Sequence, residues 1–135
     1  MGILDARAGQ MFSLDDETVK LIESEMKTKS NVFLLNDLAA LSDEEILLLY
    51  REQIPSGFLK VLSEPELVSS VLELFKNNLN VSETSRVSFL HRNTLLYRLD
   101  KVHRLTGLNV KSFEDAATFK SMMVLFYEYR KRTNN

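Results

Sequence analysis

The 135-residue sequence contains no cysteine, and it has only two prolines and four glycines. Without cysteine there is neither a disulfide framework nor a thiolate metal site, which fits a reducing cytoplasm. No apolar run approaches the ~20 residues of a membrane-spanning helix, and the N-terminus lacks the basic-then-apolar layout of a signal peptide. We therefore expect a cytoplasmic protein that does not associate with membranes.

Motifs of catalysis are absent as well. The chain has two histidines, and its four glycines form no nucleophile elbow, P-loop or phosphate cradle; an HExxH motif is also missing. The adjacent carboxylates Asp43, Glu44 and Glu45 open a predicted helix, where acidic side chains are favourable. A solvated helix start explains them better than a metal site. We predict that the chain is not an enzyme and uses no cofactor or metal.

Charge is distributed unevenly along the chain. Residues 1–66 carry six basic and thirteen acidic side chains, a net charge of −7, whereas residues 67–135 carry eleven basic and six acidic ones, a net charge of +5. Sequence-independent affinity for DNA comes mostly from cations near phosphates, so only the second half has the charge of a DNA-binding face. The acidic first half is expected to lie away from the duplex or to contact another protein.

The spacing of apolar residues predicts an all-α fold. Residues 1–12 show no period and are expected to be flexible. The run 32–35 is short and continuously apolar, so strand and buried helix both fit it, and Asn36 or Asp37 is the expected cap of a short helix through Leu41. The predicted helices otherwise span about 13–27, 43–54, 64–79, 83–89, 92–105 and 113–131.

Polar residues at fixed offsets predict where several helices begin and end. Ser42 and Ser63 are each followed by glutamate three residues on, the spacing of a capping box. The first of these helices should stop before Pro55, and Ser56-Gly57 indicates a turn. Gly107 has the position of a left-handed residue that ends a helix.

The pattern of residues 80–107 predicts a short helix, a tight turn and a longer helix. Leu95, Leu99, Val102 and Leu105 fall on one third of the longer helix, the width of a core-facing stripe. The polar residues of this helix occupy the opposite side and its flanks: Arg92, Asn93, Thr94, Tyr97, Arg98, Asp100, Lys101 and Arg104. Asparagine suits the edges of adenine, and arginine suits guanine or phosphate. Amphipathicity alone fits an ordinary solvated helix face equally well.

The short helix before it is predicted over 83–89. Ser82 is its expected N-cap, and Val87 and Phe89 are its expected core residues. The turn that follows contains no glycine.

An ungapped series of residues, several of them uncommon, spans the two predicted helices and the segment that follows them. It consists of Asn80-Val81-Ser82-x-Thr84, Arg86, His91-Arg92-Asn93-Thr94-Leu95-x-Tyr97-Arg98-Leu99, Leu105-Thr106-Gly107-Leu108 and Phe113-Glu114-Asp115. With these residues in register, segment 67–126 resembles the C-terminal DNA-binding domain of the PucR/CdaR-type bacterial transcription regulators of purine catabolism and sugar-diacid use. That domain is a wing-less helix-turn-helix similar to the Fis type. Three residues depart from the family pattern: Ser85 replaces a common alanine, Ser88 a usual apolar residue and Leu96 a frequent basic one.

The resemblance implies a helical bundle with a wing-less helix-turn-helix over 63–135, preceded by a helical connector over 1–62. It further implies sequence-specific reading of the major groove of double-stranded DNA by helix 92–105, in a chain that acts as a homodimer. The effector would be sensed by a region absent from this chain. The DNA-binding residues implied are Ser82, Thr84, His91, Arg92, Asn93, Thr94, Tyr97, Arg98, Lys101 and Arg104.

Several alternatives stay open at this stage. The acidic first half, Ser88 and Leu96 also fit a helical protein–protein adaptor that kept the fold and lost DNA binding. His91 also fits a helix-capping or packing role, and Tyr97 fits packing against the short helix. The last helix is apolar over most of its circumference, which indicates core burial or, as the alternative, a dimer interface. Residues 130–132, Arg-Lys-Arg, are expected to complement its C-terminus in solvent.

Overall fold

Eight α-helices make up most of the chain that this computed structural model describes, residues 2–4 and 11–133. They are α1 (Asp16–Met26), α2 (Val32–Ala39), α3 (Asp43–Gln53), α4 (Ser56–Leu62), α5 (Pro65–Lys76), α6 (Val81–Ser88), α7 (Arg92–Thr106) and α8 (Phe113–Thr133). The prediction of an all-α bundle with a helix-turn-helix is confirmed.

Two short strands precede the helices. β1 (Gly2–Leu4) pairs antiparallel with β2 (Met11–Ser13), with Ile3 opposite Phe12. The sequence shows no period here, and the prediction of no regular structure missed this pair. The flexibility expected of residues 1–12 falls largely on residues 1 and 5–10, which lie outside the described residues.

Capping explains where the first helices begin. Asp15 caps α1, because its carboxylate accepts from the backbone N–H of Thr18 at 2.7 Å, and this bond lowers the pKa of Asp15. The predicted capping box at α3 is confirmed: Ser42 Oγ accepts from the N–H of Glu45 at 3.1 Å, and Glu45 Oε1 accepts from the N–H of Ser42 at 3.0 Å. α3 ends at Gln53, before Pro55, as predicted.

Two local predictions between α2 and α4 are wrong. Asn36 and Asp37 lie inside α2 and cap nothing, because that helix already begins at Val32. Ser56-Gly57 does not form a turn but begins α4, a helix that the sequence pattern did not reveal.

The second predicted capping box also does not form. Glu64 occupies the N-cap of α5, with Pro65 in the first turn, and the Ser63 hydroxyl donates back to the carbonyl of Lys60 at 2.6 Å. Ser63 therefore closes α4 instead of opening α5.

α8 lies at the centre of the bundle, where α1, α2 and α3 pack against it. This packing explains why α8 is apolar on most sides: Phe119, Met123, Val124 and Phe126 are all buried. Helices from before and after residue 63 contribute to one hydrophobic cluster. The division of the chain at that point stays a prediction.

Aromatic and cationic side chains join α8 to the first half of the chain. The ring of Tyr129 stacks on the ring of Tyr50, with centroids 3.8 Å apart. The guanidinium of Arg132 donates to the carbonyl oxygens of Leu41 at 2.6 Å and Leu38 at 3.0 Å, and it pairs with Asp43 at 3.1 Å. The prediction that Arg132 complements its own helix end in solvent is therefore wrong, because Arg132 caps the C-terminal end of α2.

None of the described helices combines the length and hydropathy needed to span a membrane.

Candidate nucleic-acid interface

α7 is held against α4, α5 and α6 by the apolar stripe that its sequence predicts. Leu95, Leu99 and Val102 are buried, whereas Leu105 is half-buried at the C-terminal end of the helix. The stripe faces the core, so the opposite side of α7 lies on the surface. Gly107, with φ of 78°, ends α7 in the left-handed conformation that was predicted for it.

α6 begins two residues earlier than predicted. Its N-cap is Asn80, whose side-chain oxygen accepts from the N–H of Glu83 at 2.9 Å, so the prediction of Ser82 as the cap is wrong. Ser82 lies in the first turn and is exposed. Thr84 is fully buried, and its hydroxyl donates to the carbonyl of Asn80 at 2.7 Å. Thr84 therefore holds the start of α6 and does not reach the surface.

The turn between α6 and α7 is formed without glycine. Phe89 adopts the left-handed conformation, with φ of 55° and ψ of 33°. The N–H of Leu90 donates to the carbonyl of Ser85 at 3.1 Å, and the N–H of Phe89 donates to the carbonyl of Arg86 at 3.3 Å. These two bonds are the pattern of a Schellman motif, in which glycine is the usual left-handed residue.

Phe89 itself is 96% exposed, so the prediction that it is a core residue of the short helix is wrong. The helix ends one residue before Phe89, and the left-handed backbone directs the ring away from the face on which Val87 is half-buried.

α7 begins at Arg92, and His91 is its N-cap. The His91 Nδ1 atom accepts from the backbone N–H of Asn93 at 3.1 Å, so this imidazole does have the capping role left open by the sequence. The guanidinium of Arg92 donates to Ser82 Oγ at 2.5 Å and thereby joins the first turns of α6 and α7. The two helix starts are thus brought to one place on the surface.

An exposed polar surface covers the first two turns of α7. His91, Arg92, Asn93 and Thr94 are all exposed, and Tyr97 is 62% exposed one turn further on. These five residues, with Ser82 beside them, are called the α7 polar face below. Asparagine, arginine and threonine are side chains that pair with base edges or phosphates, and they stand at the end of the helix that can enter a groove.

Three cations further along α7 already have partners within the chain. Arg98 Nη1 donates to the hydroxyl of Ser70 on α5 at 3.3 Å, and Arg98 is half-buried. Lys101 Nζ lies 2.6 Å from Glu64 Oε1, and this carboxylate raises the pKa of Lys101.

The third cation, Arg104, is exposed. Its Nε lies 3.0 Å from Asp100 Oδ2, and its guanidinium carbon lies 5.9 Å from the centroid of the Tyr97 ring. Arg98 and Lys101 therefore fasten α7 to α5, whereas Arg104 stays on the side of the α7 polar face.

A close backbone approach positions the C-terminal end of α7. A Cβ placed on Gly57 of α4 would lie 1.8 Å from the carbonyl oxygen of Leu105. Only glycine allows α4 and α7 to approach this closely. The sequence gives no sign of this contact, because Gly57 follows proline and serine as it would in an ordinary turn.

The described residues contain no group of three or more histidine, aspartate or glutamate side chains that could hold a metal ion.

Comparison with known proteins shows what the segment that contains this helix pair is similar to. Residues 67–124 match the model of the PucR C-terminal helix-turn-helix domain. The chain is similar to the carbohydrate diacid regulator of Escherichia coli (strain K12), with 39% identity over 62 residues, or 45% of this chain and 16% of that protein. It is also similar to the uncharacterized protein YxkF of Bacillus subtilis (strain 168), with 41% identity over 54 residues, or 40% of this chain and 18% of that protein.

A third relative is the uncharacterized protein YsfB of Bacillus subtilis (strain 168), with 36% identity over 69 residues, or 50% of this chain and 19% of that protein. The matched segment thus spans less than a fifth of each relative's length. No solved structure matches the chain significantly. The resemblance drawn from the sequence is confirmed by the family match, in which residues 67–124 match the C-terminal helix-turn-helix domain of PucR-type transcription regulators.

Proposed function

We propose that this chain binds double-stranded DNA sequence-specifically, with the N-terminal half of α7 in the major groove. The observation that carries the proposal is the α7 polar face, which stands exposed above the buried Leu95 and Leu99. In helix-turn-helix proteins the N-terminal residues of the second helix contact base edges. The first three residues of α7, Arg92, Asn93 and Thr94, are all exposed.

Each residue of the face has a role that its chemistry supports. Asn93 is exposed on the outermost side of the helix, and its amide can pair with both edge groups of adenine. Arg92 points toward Ser82 at the start of α6, so we assign Arg92 and Ser82 to a phosphate. Thr94 and Tyr97 flank Asn93 and offer hydroxyls to phosphate or to a base.

His91 and Arg104 complete the proposed set. The Nδ1 atom of His91 is occupied by the N–H of Asn93, which leaves the other ring nitrogen for a phosphate. Arg104 is exposed but paired with Asp100, so it would contact a phosphate only by leaving that carboxylate.

Three residues implied by the resemblance are assigned a positioning role instead. Thr84 is buried, and Arg98 and Lys101 bond to Ser70 and Glu64 of the α5 region. The bonds of Arg98 and Lys101 fix the angle at which α7 stands on the bundle, and the bond of Thr84 holds the start of α6. A misplaced recognition helix would lose base contacts even with every reading residue intact.

The proposal also covers the oligomeric state of the protein and the effector that regulates it. We propose a homodimer, because two-fold operators are read by two-fold proteins, and a cytoplasmic regulator whose effector is sensed outside residues 1–135. The named relative is a carbohydrate diacid regulator, and this chain matches 16% of it. A transcriptional role under control of a small molecule is therefore the proposed whole-protein function.

The test is a binding titration on two duplexes, the DNA upstream of the chain's own gene and a random sequence, at two salt concentrations. We expect preference for the upstream DNA, with a log–log salt slope of about −0.9 for each phosphate contacted. The variant Arg92→Ala should lower the magnitude of this slope by about 0.9. Lys29→Ala is its matched control, because Lys29 is exposed in the acidic first half and its loss changes the net charge by the same amount.

The adaptor alternative gives a different result. A folded chain that binds neither duplex at low salt would contradict the proposal and favour a protein–protein role. Binding to both duplexes with equal affinity would leave DNA binding in place and contradict sequence specificity.

A further inference from the structure

Phe89 combines two features that folding alone does not explain. Its ring is 96% exposed to solvent, and its backbone is left-handed, with φ of 55°. A side chain with a Cβ disfavours that conformation, which glycine adopts without strain. The Schellman bonds of the turn use only backbone atoms, so glycine at this position would form them equally well.

The position of Phe89 connects it to the α7 polar face. It stands two residues before the N-cap His91, at the end of α7 proposed to enter the groove. Arg92, three residues after Phe89, is exposed and bonds to a hydroxyl, whereas Arg86, three residues before it, is paired with Glu83. The ring is therefore an exposed apolar group beside a cation whose hydrogen-bond partner is a hydroxyl and not a carboxylate.

We propose that the Phe89 ring makes an apolar contact with a deoxyribose of the DNA strand that lies beside the start of α7. This inference rests on the proposed DNA-binding function and extends it to a residue with no polar group. A nucleic-acid strand alternates phosphates with apolar sugars, which matches one exposed ring next to the exposed Arg92. A protein-binding patch would need several hundred Å² of contiguous apolar surface, and Phe89 is one ring.

The test replaces the ring without disturbing the turn. Phe89→Gly accepts the left-handed backbone, and Phe89→Asn is a second variant, since asparagine tolerates the same conformation. We expect both to keep a denaturation midpoint at least as high as that of the wild type. We expect both to bind the upstream duplex about three- to tenfold more weakly, as the burial of part of one aromatic ring predicts.

The salt dependence separates this contact from a phosphate contact. The log–log salt slope should be unchanged in the Phe89 variants, whereas Arg92→Ala should lower its magnitude by about 0.9. A changed slope in the Phe89 variants would overturn the assignment to a sugar. A loss that disappears on duplex with uracil in place of thymine would show that the ring meets the thymine methyl instead.

Failure of this inference is distinguishable from failure of the proposed function. If Asn93→Ala weakens binding and the Phe89 variants do not, Phe89 has no DNA contact while the DNA-binding proposal stands. If the wild-type chain binds no duplex, both are wrong. If the Phe89 variants alter the sedimentation coefficient of the free protein, the ring belongs to a protein interface and the sugar contact is overturned.

Discussion

The ammonium group of Lys101 lies 2.6 Å from the carboxylate of Glu64, 37 residues away in the sequence. The lysine stands on the middle of α7, and Glu64 is the N-cap residue of α5. A cation that a helical wheel places on the exposed side of α7 is therefore already paired. The pair fixes α7 to its supporting helix by a contact that does not involve the apolar stripe.

Lys101→Ala should consequently affect DNA binding less than Arg92→Ala does. Arg92 is exposed and has a hydroxyl as its partner, whereas the charge of Lys101 is balanced by Glu64. We expect the magnitude of the salt slope to fall by about 0.9 for Arg92→Ala and by clearly less for Lys101→Ala. Equal losses in the two titrations would mean that Lys101 leaves Glu64 to hold a phosphate.

The same pair has a pH dependence with a defined sign. Glu64 raises the pKa of Lys101 in the folded chain. The stabilisation is complete below the ordinary lysine pKa and is lost as the pH rises through the higher folded value. The wild type should therefore lose stability at alkaline pH, and the Glu64→Gln variant should not show this loss.

Asn93→Ala tests base reading directly. Asn93 is exposed in the first turn of α7, and an amide that pairs with adenine contributes about 1–3 kcal/mol of discrimination. We expect weaker binding to the upstream duplex and little change on random DNA. Gln53→Ala removes an exposed amide at the end of α3 and serves as the control. Equal weakening on both duplexes would assign Asn93 to the backbone instead of a base.

Gly57→Ala tests the approach of α4 to α7. The added Cβ would lie 1.8 Å from the carbonyl oxygen of Leu105 and 2.8 Å from its carbonyl carbon, so backbone must move. Overpacking of this kind costs about 1–3 kcal/mol, which urea denaturation would measure. Gly107→Asn is the contrast, because nothing lies within 4 Å of a Cβ there and asparagine tolerates its φ of 78°. A Gly57 variant as stable as that contrast would contradict the close approach.

Glu45 gives a prediction at acid pH. The backbone N–H of Ser42, and then the Ser42 side chain, lower the pKa of Glu45 in the capping box. The resulting stability is present above the ordinary glutamate pKa and is lost as the pH falls through the lower folded value. Glu45→Gln keeps an acceptor without the charge, so it should be less stable than the wild type near neutral pH. The two urea midpoints should converge as the pH falls through the lowered pKa of Glu45, and a constant difference would contradict the prediction.

Sequence periodicity predicted the elements whose two sides differ in polarity. α1, α3, α5 and α7 each have a buried face and an exposed face, and their spacing showed it. α4 was missed because it has seven residues, too few to establish a period, and four of them are buried. Its glycine near the start also resembled a turn.

Only part of the candidate site was predicted from the sequence, because the spacing of polar and apolar residues describes one helix at a time. A helical wheel of residues 92–105 indicated which side of α7 is exposed, because exposure of one side follows from the residue spacing within that helix. It could not reveal that Arg98 meets Ser70 or that Lys101 meets Glu64, since these partners are 28 and 37 residues away and meet only when α5 and α7 pack. The exposure of Phe89 likewise follows from the left-handed turn, which no apolar pattern encodes.

Arg132→Lys tests the link between α8 and the first half of the chain. Arg132 donates to carbonyl oxygens of Leu38 and Leu41 and pairs with Glu128, whose carboxylate is buried. Lysine keeps the charge but lacks the planar fork that reaches all three, so we expect a loss of about 1–3 kcal/mol in the free energy of unfolding. Lys29→Ala is again the control, because Lys29 is exposed and its loss uncovers no buried carboxylate in the described part of the chain.

The two variants should also separate folding from DNA binding. Arg132 lies among α2, α3 and α8, and none of these helices carries the α7 polar face. Under conditions where both variants are fully folded, their duplex affinities and salt slopes should therefore equal those of the wild type. A lower duplex affinity of the folded Arg132→Lys variant would show that this guanidinium reaches the DNA, because lysine keeps the charge but lacks the planar fork.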